Sequence, residues 1–249
     1  MITFTDLDDR YNTKLKTYPD GNIKLMFCNK HIFRYPPEKT KDEYKPLLVE
    51  KKTYKVKDSS YVSRDDSVKR AKDKLFDLVY CNEWDLFVTV TFNPEEVDSF
   101  NVKEVIKKMK VWLSNKVERK GLRYLLVPEL HKSGRIHCHL LCNDVFEKVD
   151  SGKRSNGRKV YNLPEWKYGF STAIYTHGDR AKLSCYITKY ITKGNDSVFG
   201  RFYWSSRNIV REPDITLLET KFEQIDLPTY RCKKSSLLFK YDNMTYTQT

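Results

Sequence analysis

The stretch LRYLLVPELHKSGRIHCHLLCN, residues 122–143, decides the fold. Two apolar runs, LRYLLVPEL (122–130) and RIHCHLLCN (135–143), flank the tight connection HKSG, and such a pair reads as a β-hairpin. Alternate side chains of a strand face opposite ways, so His137 and His139 emerge together while Ile136, Cys138, Leu140 and Cys142 emerge on the other face. The second set supplies a core-facing stripe. Three of the chain's five histidines (His131, His137 and His139) fall in this hairpin, and two of them share one face.

Working outward, LFVTVTF (86–92) is rich in β-branched and aromatic residues and stops at Asn93-Pro94, which reads as a strand. NVKEVIKKMKVWLSNKVERKG (101–121) is an amphipathic helix with Val105, Ile106, Met109, Trp112, Leu113 and Val117 in one stripe and Gly121 as its stop. In DDSVKRAKDKLFDLVYCN (65–82), Val68, Ala71, Leu75, Leu78 and Val79 recur at helical spacing, with Asp65 or Asp66 as the cap. GFSTAIYT (169–176) reads as a further strand, DRAKLSCYITKYITK (179–193) as a helix, and DSGKRSNGRK (150–159) as a polar, basic loop. Residues 1–60 carry short pieces, NIKLMFCN and KPLLVEKKTYKV, broken by YPDG and RYPPEKT; they read as strands and turns without chemistry. The order strand–helix–strand–strand–strand–helix predicts an α+β domain, a largely antiparallel sheet with helices packed on it, over 65–214. Residues 1–64 and 215–249 are then N- and C-terminal extensions.

A net charge of +13 over 249 residues favours a polyanionic partner, nucleic acid first. Aromatics interleaved with bases in RFYWSSR (201–207) suit contact with unstacked bases. No apolar run is long enough to cross a bilayer, and MITFTDLDDRYNTK lacks the order of a secretory signal, so a cytoplasmic location is expected. The six cysteines form no CxxC pair, which argues against a zinc ribbon or a disulfide scaffold. GKRSNGRK (152–159) has Arg158 and Lys159 where a phosphate-binding loop needs Lys and Ser/Thr, so a fused helicase is not expected.

Two convergent imidazoles make half a metal site. Glu129, eight residues before His137 on the preceding strand, is brought alongside by the short turn. Two His and one carboxylate leave positions open for water and a phosphate. The plainer alternative is a pair of half-exposed histidines beside a surface charge, and His131 is a rival third ligand. A second constellation is YITKYITK (186–193). At about 100° per residue, Tyr186, Tyr190, Lys189 and Lys193 occupy one helical arc, beside a stripe of Leu183, Ile187 and Ile191 that can pack on the sheet. Phenols become useful nucleophiles when neighbouring cations favour the phenolate; the alternative is ordinary amphipathic packing.

Taken in order, FVTVTFNP, PELHKSGRIHCHLL and YITKYITK resemble the three motifs of the HUH endonucleases, and within them the rolling-circle replication initiators (Rep proteins) of phages and plasmids. The doubled tyrosine is similar to the active-site helix of the replication-initiation A proteins of small single-stranded DNA phages. The resemblance covers residues 65–214 and implies an RRM-like sheet carrying Mg²⁺ or Mn²⁺. It assigns His137, His139 and Glu129 as metal ligands, Tyr186 and Tyr190 as nucleophiles, and Lys189 and Lys193 as their lysines. Cys138 stands where the family's triplet has a bulky apolar residue; its side chain faces the core. The implied activity is sequence-specific nicking and rejoining of single-stranded or extruded origin DNA through a 5′-phosphotyrosine. Host DNA polymerase and helicase are the implied partners, in the cytoplasm of a bacterial host. Rivals are a relaxase, which usually places its tyrosine before the histidines, a transposase, typically a shorter chain, and a non-catalytic nucleic-acid-binding protein with an RRM-like sheet.

Overall fold

The computed structural model describes residues 4–5, 10–33, 65–176, 178–191, 198–220, 230–232 and 236–238. KPLLVEKKTYKV lies outside them. In chain order the elements are β1 (Phe4–Thr5), β2 (Arg10–Thr17), β3 (Ile23–Phe33), α1 (Asp65–Tyr80), β4 (Leu86–Val90), α2 (Val102–Lys120), β5 (Tyr124–Leu130) and β6 (Ile136–Cys142). There follow β7 (Val149–Ser155), β8 (Arg158–Asn162), β9 (Ser171–Tyr175), α3 (Arg180–Thr188), β10 (Trp204–Ser205), β11 (Asp214–Thr220), β12 (Tyr230–Cys232) and β13 (Ser236–Leu238).

The chain divides into two compact units, Ser60–Glu212 on the one hand and Met1–Ser59 with Pro213–Thr249 on the other. In the second unit the two ends of the chain share a sheet of order β1-β11-β2-β3, around Leu15, Ile23, Leu25 and Leu218. The β2–β3 turn is closed by Gly21 at φ 79, whose N–H donates to Tyr18 O at 2.9 Å.

The unit Ser60–Glu212 is an α+β structure built on a seven-stranded antiparallel sheet, β10-β5-β6-β4-β9-β8-β7. Its first face packs Leu126, Cys138, Leu140, Cys142, Val88 and Val90 against Val105, Met109, Trp112 and Leu113 of α2. α2 starts where Asn101 Oδ1 accepts from the amides of Lys103 and Glu104, at 3.1 and 3.3 Å. It stops at Gly121, φ 63, where Leu122 N–H reaches back to Lys116 O and Gly121 N–H to Val117 O. This double closure satisfies the last carbonyls and needs the left-handed residue that the sequence supplies.

The second face is covered as well. Leu125, Val127 and Leu141 are buried under Val68, Leu75, Leu78 and Val79 of α1 and Ile187 of α3. Each buried aliphatic side chain contributes about 1.5–3 kcal/mol, so the sheet is held from both sides. The histidine face is therefore a second core for half its length.

Three expectations are revised. Residues 150–159 form the hairpin β7–β8 rather than a loop, turning at Asn156-Gly157 with φ 48 and 77. Its strands are largely exposed, so no apolar alternation announced them, although Asn-Gly is the residue pair this two-residue turn prefers. α3 ends at Thr188 instead of running to 193; Lys189, Tyr190 and Ile191 continue it with N–H bonds to Tyr186, Ile187 and Thr188 carbonyls. In RFYWSSR, Phe202 and Tyr203 pack on the second core, and Trp204 extends the sheet and sits 4.5 Å from the ring of Phe199. These aromatics are thus spent on packing. Cys81, Cys138 and Cys142 are buried free thiols, as small hydrophobes should be, whereas Cys185 is disulfide-bonded.

Gly169 pins β9 to the end of β4. Its neighbours pair through Thr91 N–H to Phe170 O (2.9 Å) and Asn93 N–H to Tyr168 O (2.8 Å). At φ 151, a Cβ added to Gly169 would lie 2.4 Å from Thr91 O and 2.6 Å from Asn93 N. Gly169→Ala should cost about 1–3 kcal/mol from backbone strain alone, with the clash adding to it; urea unfolding of the variant measures the loss.

Candidate active site

β5 and β6 pair so that Glu129 stands directly opposite His137, and Val127 opposite His139. β4 flanks β6 on its other side and sets Thr89 opposite His139 and Phe87 opposite Leu141. One face of three strands thus presents Glu129, His137, His139, Thr89 and Phe87 together. The turn that fixes this register is closed by His131 N–H to Arg135 O at 2.9 Å, with Gly134 at φ 84.

His139 is nearly buried, 6% exposed, and both its ring nitrogens are engaged. Nε2 lies 2.7 Å from Glu129 Oε2, and Nδ1 lies 3.1 Å from Thr89 Oγ1. Burial holds the imidazole below its ordinary pKa, and Glu129 opposes that shift. A carboxylate only accepts, so a neutral His139 carries its proton on Nε2 and Thr89 donates to Nδ1. A hydroxyl can also accept, so Thr89 serves the other tautomer equally well, with Nε2 freed for a ligand.

His137 is half-buried, its pKa also lowered, first by burial and then by neighbouring His131. Its ring stacks on that of His131 at 5.3 Å. Two imidazoles and a carboxylate on one strand face are a donor set suited to a divalent ion. Among the described residues, however, no three His, Cys, Asp or Glu side chains converge as a metal cluster. The cause is local: Glu129 is turned to His139, and His137 to His131.

The tyrosines close over this face. Tyr186 Oη and Tyr190 Oη are 2.9 Å apart. Tyr190 lies nearly parallel to His139 with ring centres 3.9 Å apart, and Phe87 contacts His139, Tyr186 and Tyr190 at 5.7, 5.2 and 6.3 Å. Burial, and then the hydrogen bond to Tyr186, push the Tyr190 phenol above its ordinary pKa. Tyr186 is 41% exposed. The Lys189 ammonium stands 3.6 Å over the Tyr186 ring and 5.2 Å from that of Tyr190. Of the seven residues singled out in the sequence, Glu129, His139, Tyr186, Lys189 and Tyr190 form one linked cluster, and His137 stands opposite Glu129 at its edge. Lys193 lies outside the described residues. Phe87 and Thr89 went unnoticed in the sequence; their alternation within LFVTV, in register with HCH, was the available signal.

Residues 85–195 match the model of a protein family described as replication-associated protein of the ORF2 type. No curated protein and no solved structure matches the chain. The matched span contains all seven candidate residues, and it supports a replication initiator of the Rep type. Among the described residues no helix is long and apolar enough to cross a membrane.

Thr89→Val keeps the shape of the side chain and leaves His139 Nδ1 unpaired in a buried position. In metal-free protein it should cost about 1–3 kcal/mol, read as a lower denaturant midpoint.

Proposed function

We propose that this chain initiates rolling-circle DNA replication, nicking and rejoining one strand through a tyrosine. One observation carries the reading: two phenol oxygens 2.9 Å apart stand against an imidazole that is itself bonded to a carboxylate. Paired nucleophiles beside such a cluster are the parts phosphoryl transfer requires, and the family match supports a replication role.

Tyr186 is the first attacker in this reading, because it is exposed while Tyr190 is stacked beneath on His139. Its oxygen bonds to the scissile phosphorus, the bond to the 3′-oxygen breaks, and that oxygen leaves as a protonated 3′-hydroxyl. The 5′-phosphate stays on Tyr186, and a polymerase extends the 3′-end. The Lys189 ammonium over the ring favours the phenolate needed for attack. Once the junction is regenerated, Tyr190 attacks it, and the 3′-hydroxyl so released attacks the Tyr186 ester and closes the circle. Each step exchanges one phosphate ester for another, so no external energy source is required.

His137, His139 and Glu129 are the residues that would hold Mg²⁺ or Mn²⁺, which when bound supplies Lewis-acid polarisation of the phosphate. Thr89 keeps His139 oriented whichever nitrogen carries the proton. A second reading, a non-catalytic single-strand binder, is favoured by one observation: Glu129 already occupies His139 Nε2.

Incubation with the single strand of its own replicon and Mn²⁺, followed by a denaturing gel, separates the two. The wild type should form a covalent adduct; a binder forms none. Tyr186→Phe should cut the initial adduct by at least about a hundredfold, and the double variant with Tyr190→Phe should form none. An undiminished adduct in the double variant would sink the nucleophile assignment. His137→Ala/His139→Ala should abolish ion-dependent nicking, and cleavage that persists in chelator would refute the metal role.

A further inference from the structure

Beside Tyr186, on the side away from the histidines, lies a cavity of about 480 Å³, lined in part by Phe87, Ile174, Tyr175, Leu183, Arg158 and Lys182. Its volume falls in the range of pockets that enclose a nucleotide-sized ligand, roughly 300–1,000 Å³. The lining combines three kinds of surface. Phe87, Tyr175 and Tyr186 offer aromatic rings, Ile174 and Leu183 offer aliphatic contact, and Arg158 and Lys182 place cations at the rim. Asn156 and Asp179 add polar atoms that can meet the edge of a base.

The wall opposite the helix exists because of the β7–β8 turn. With Asn156 and Gly157 both at positive φ, the hairpin turns in two residues, and Ser155, Asn156 and Arg158 come to line the cavity. The hairpin also carries Lys153, Arg154 and Lys159, largely solvent-facing, in a chain of net charge +13. Apolar and aromatic walls take the face of an unstacked base, whereas rim cations take its phosphates. Tyr186 belongs both to this lining and to the tyrosine pair, so an occupant of the cavity is next to the reacting phosphate.

We propose that this cavity is a nucleobase pocket, which seats one unstacked base of the DNA strand adjacent to the phosphate attacked by Tyr186. The proposal rests on the function proposed above for where the phosphate lies, and it adds a specificity-determining site formed by Phe87, Ile174 and Leu183 with Arg158 from the hairpin.

The test uses the full chain and a fluorescein-labelled single-stranded oligonucleotide of its replicon, in chelator, where no cleavage is needed. Fluorescence anisotropy is measured while an abasic site is moved along the strand. One position should stand out, with affinity about 5- to 100-fold weaker when its base is missing. In Leu183→Trp, which fills the cavity, that position should lose its advantage. Arg158→Ala should weaken binding several-fold more than Arg154→Ala, its neighbour outside the cavity. A wild type indifferent to every abasic position overturns the pocket whether or not Leu183→Trp folds, and so does an unchanged abasic profile in a folded Leu183→Trp. The two proposals fail separately. A Mn²⁺-dependent adduct without base dependence defeats the pocket alone. Base dependence without an adduct supports the pocket and defeats the nicking chemistry.

Discussion

The pairing register of β5 with β6 is the constraint on which everything else in the site depends. Glu129 opposite His137 and Val127 opposite His139 follow from a single alignment, held by the turn at residues 131–135. Because side chains alternate, a slip of one residue would bury both imidazoles in the α2 core and expose Cys138 and Leu140. The apolar stripe Ile136, Cys138, Leu140 and Cys142, all at most 1% exposed, makes that slip prohibitively costly. The burial energy of one face thus fixes the chemistry of the other.

β4 turns that alignment into a site. It lies between β6 and β9, so its Phe87 and Thr89 stand beside Leu141 and His139 on one side and beside Ile174 and Thr172 on the other. Phe87 consequently touches both tyrosines and His139 and also lines the neighbouring cavity. Thr89 gives His139 a partner that suits either tautomer. The structure keeps a buried imidazole satisfied without committing Nε2, and Glu129 fills that position meanwhile.

What could be read from the sequence was what local periodicity encodes. The pleat of HCH, the stripe of α2 and its Gly121 stop are short-range patterns with one physical solution each, and they are seen as expected. The β7–β8 hairpin escaped because exposed edge strands need no apolar alternation. The association of β11 with β2 escaped because pairing between distant segments leaves no local trace. The site was legible as a list of residues, not as an arrangement. Nothing in the spacing says that Glu129 turns to His139 while His137 turns to His131, since rotamers answer to neighbours on other strands.

The early end of α3 sets the mechanical character of the two tyrosines. Tyr186 sits within the α-helix, anchored by Ile187 in the core, whereas Tyr190 follows it in a turn closed by 3.2 Å bonds of three-residue span. Such turns have poorer hydrogen-bond geometry than the helix they extend. The phenols are therefore mounted with unequal compliance, one stiff and one sprung. Two groups that must visit one phosphate in succession cannot both be rigid, nor both be loose. A boundary of secondary structure between them divides those duties within four residues.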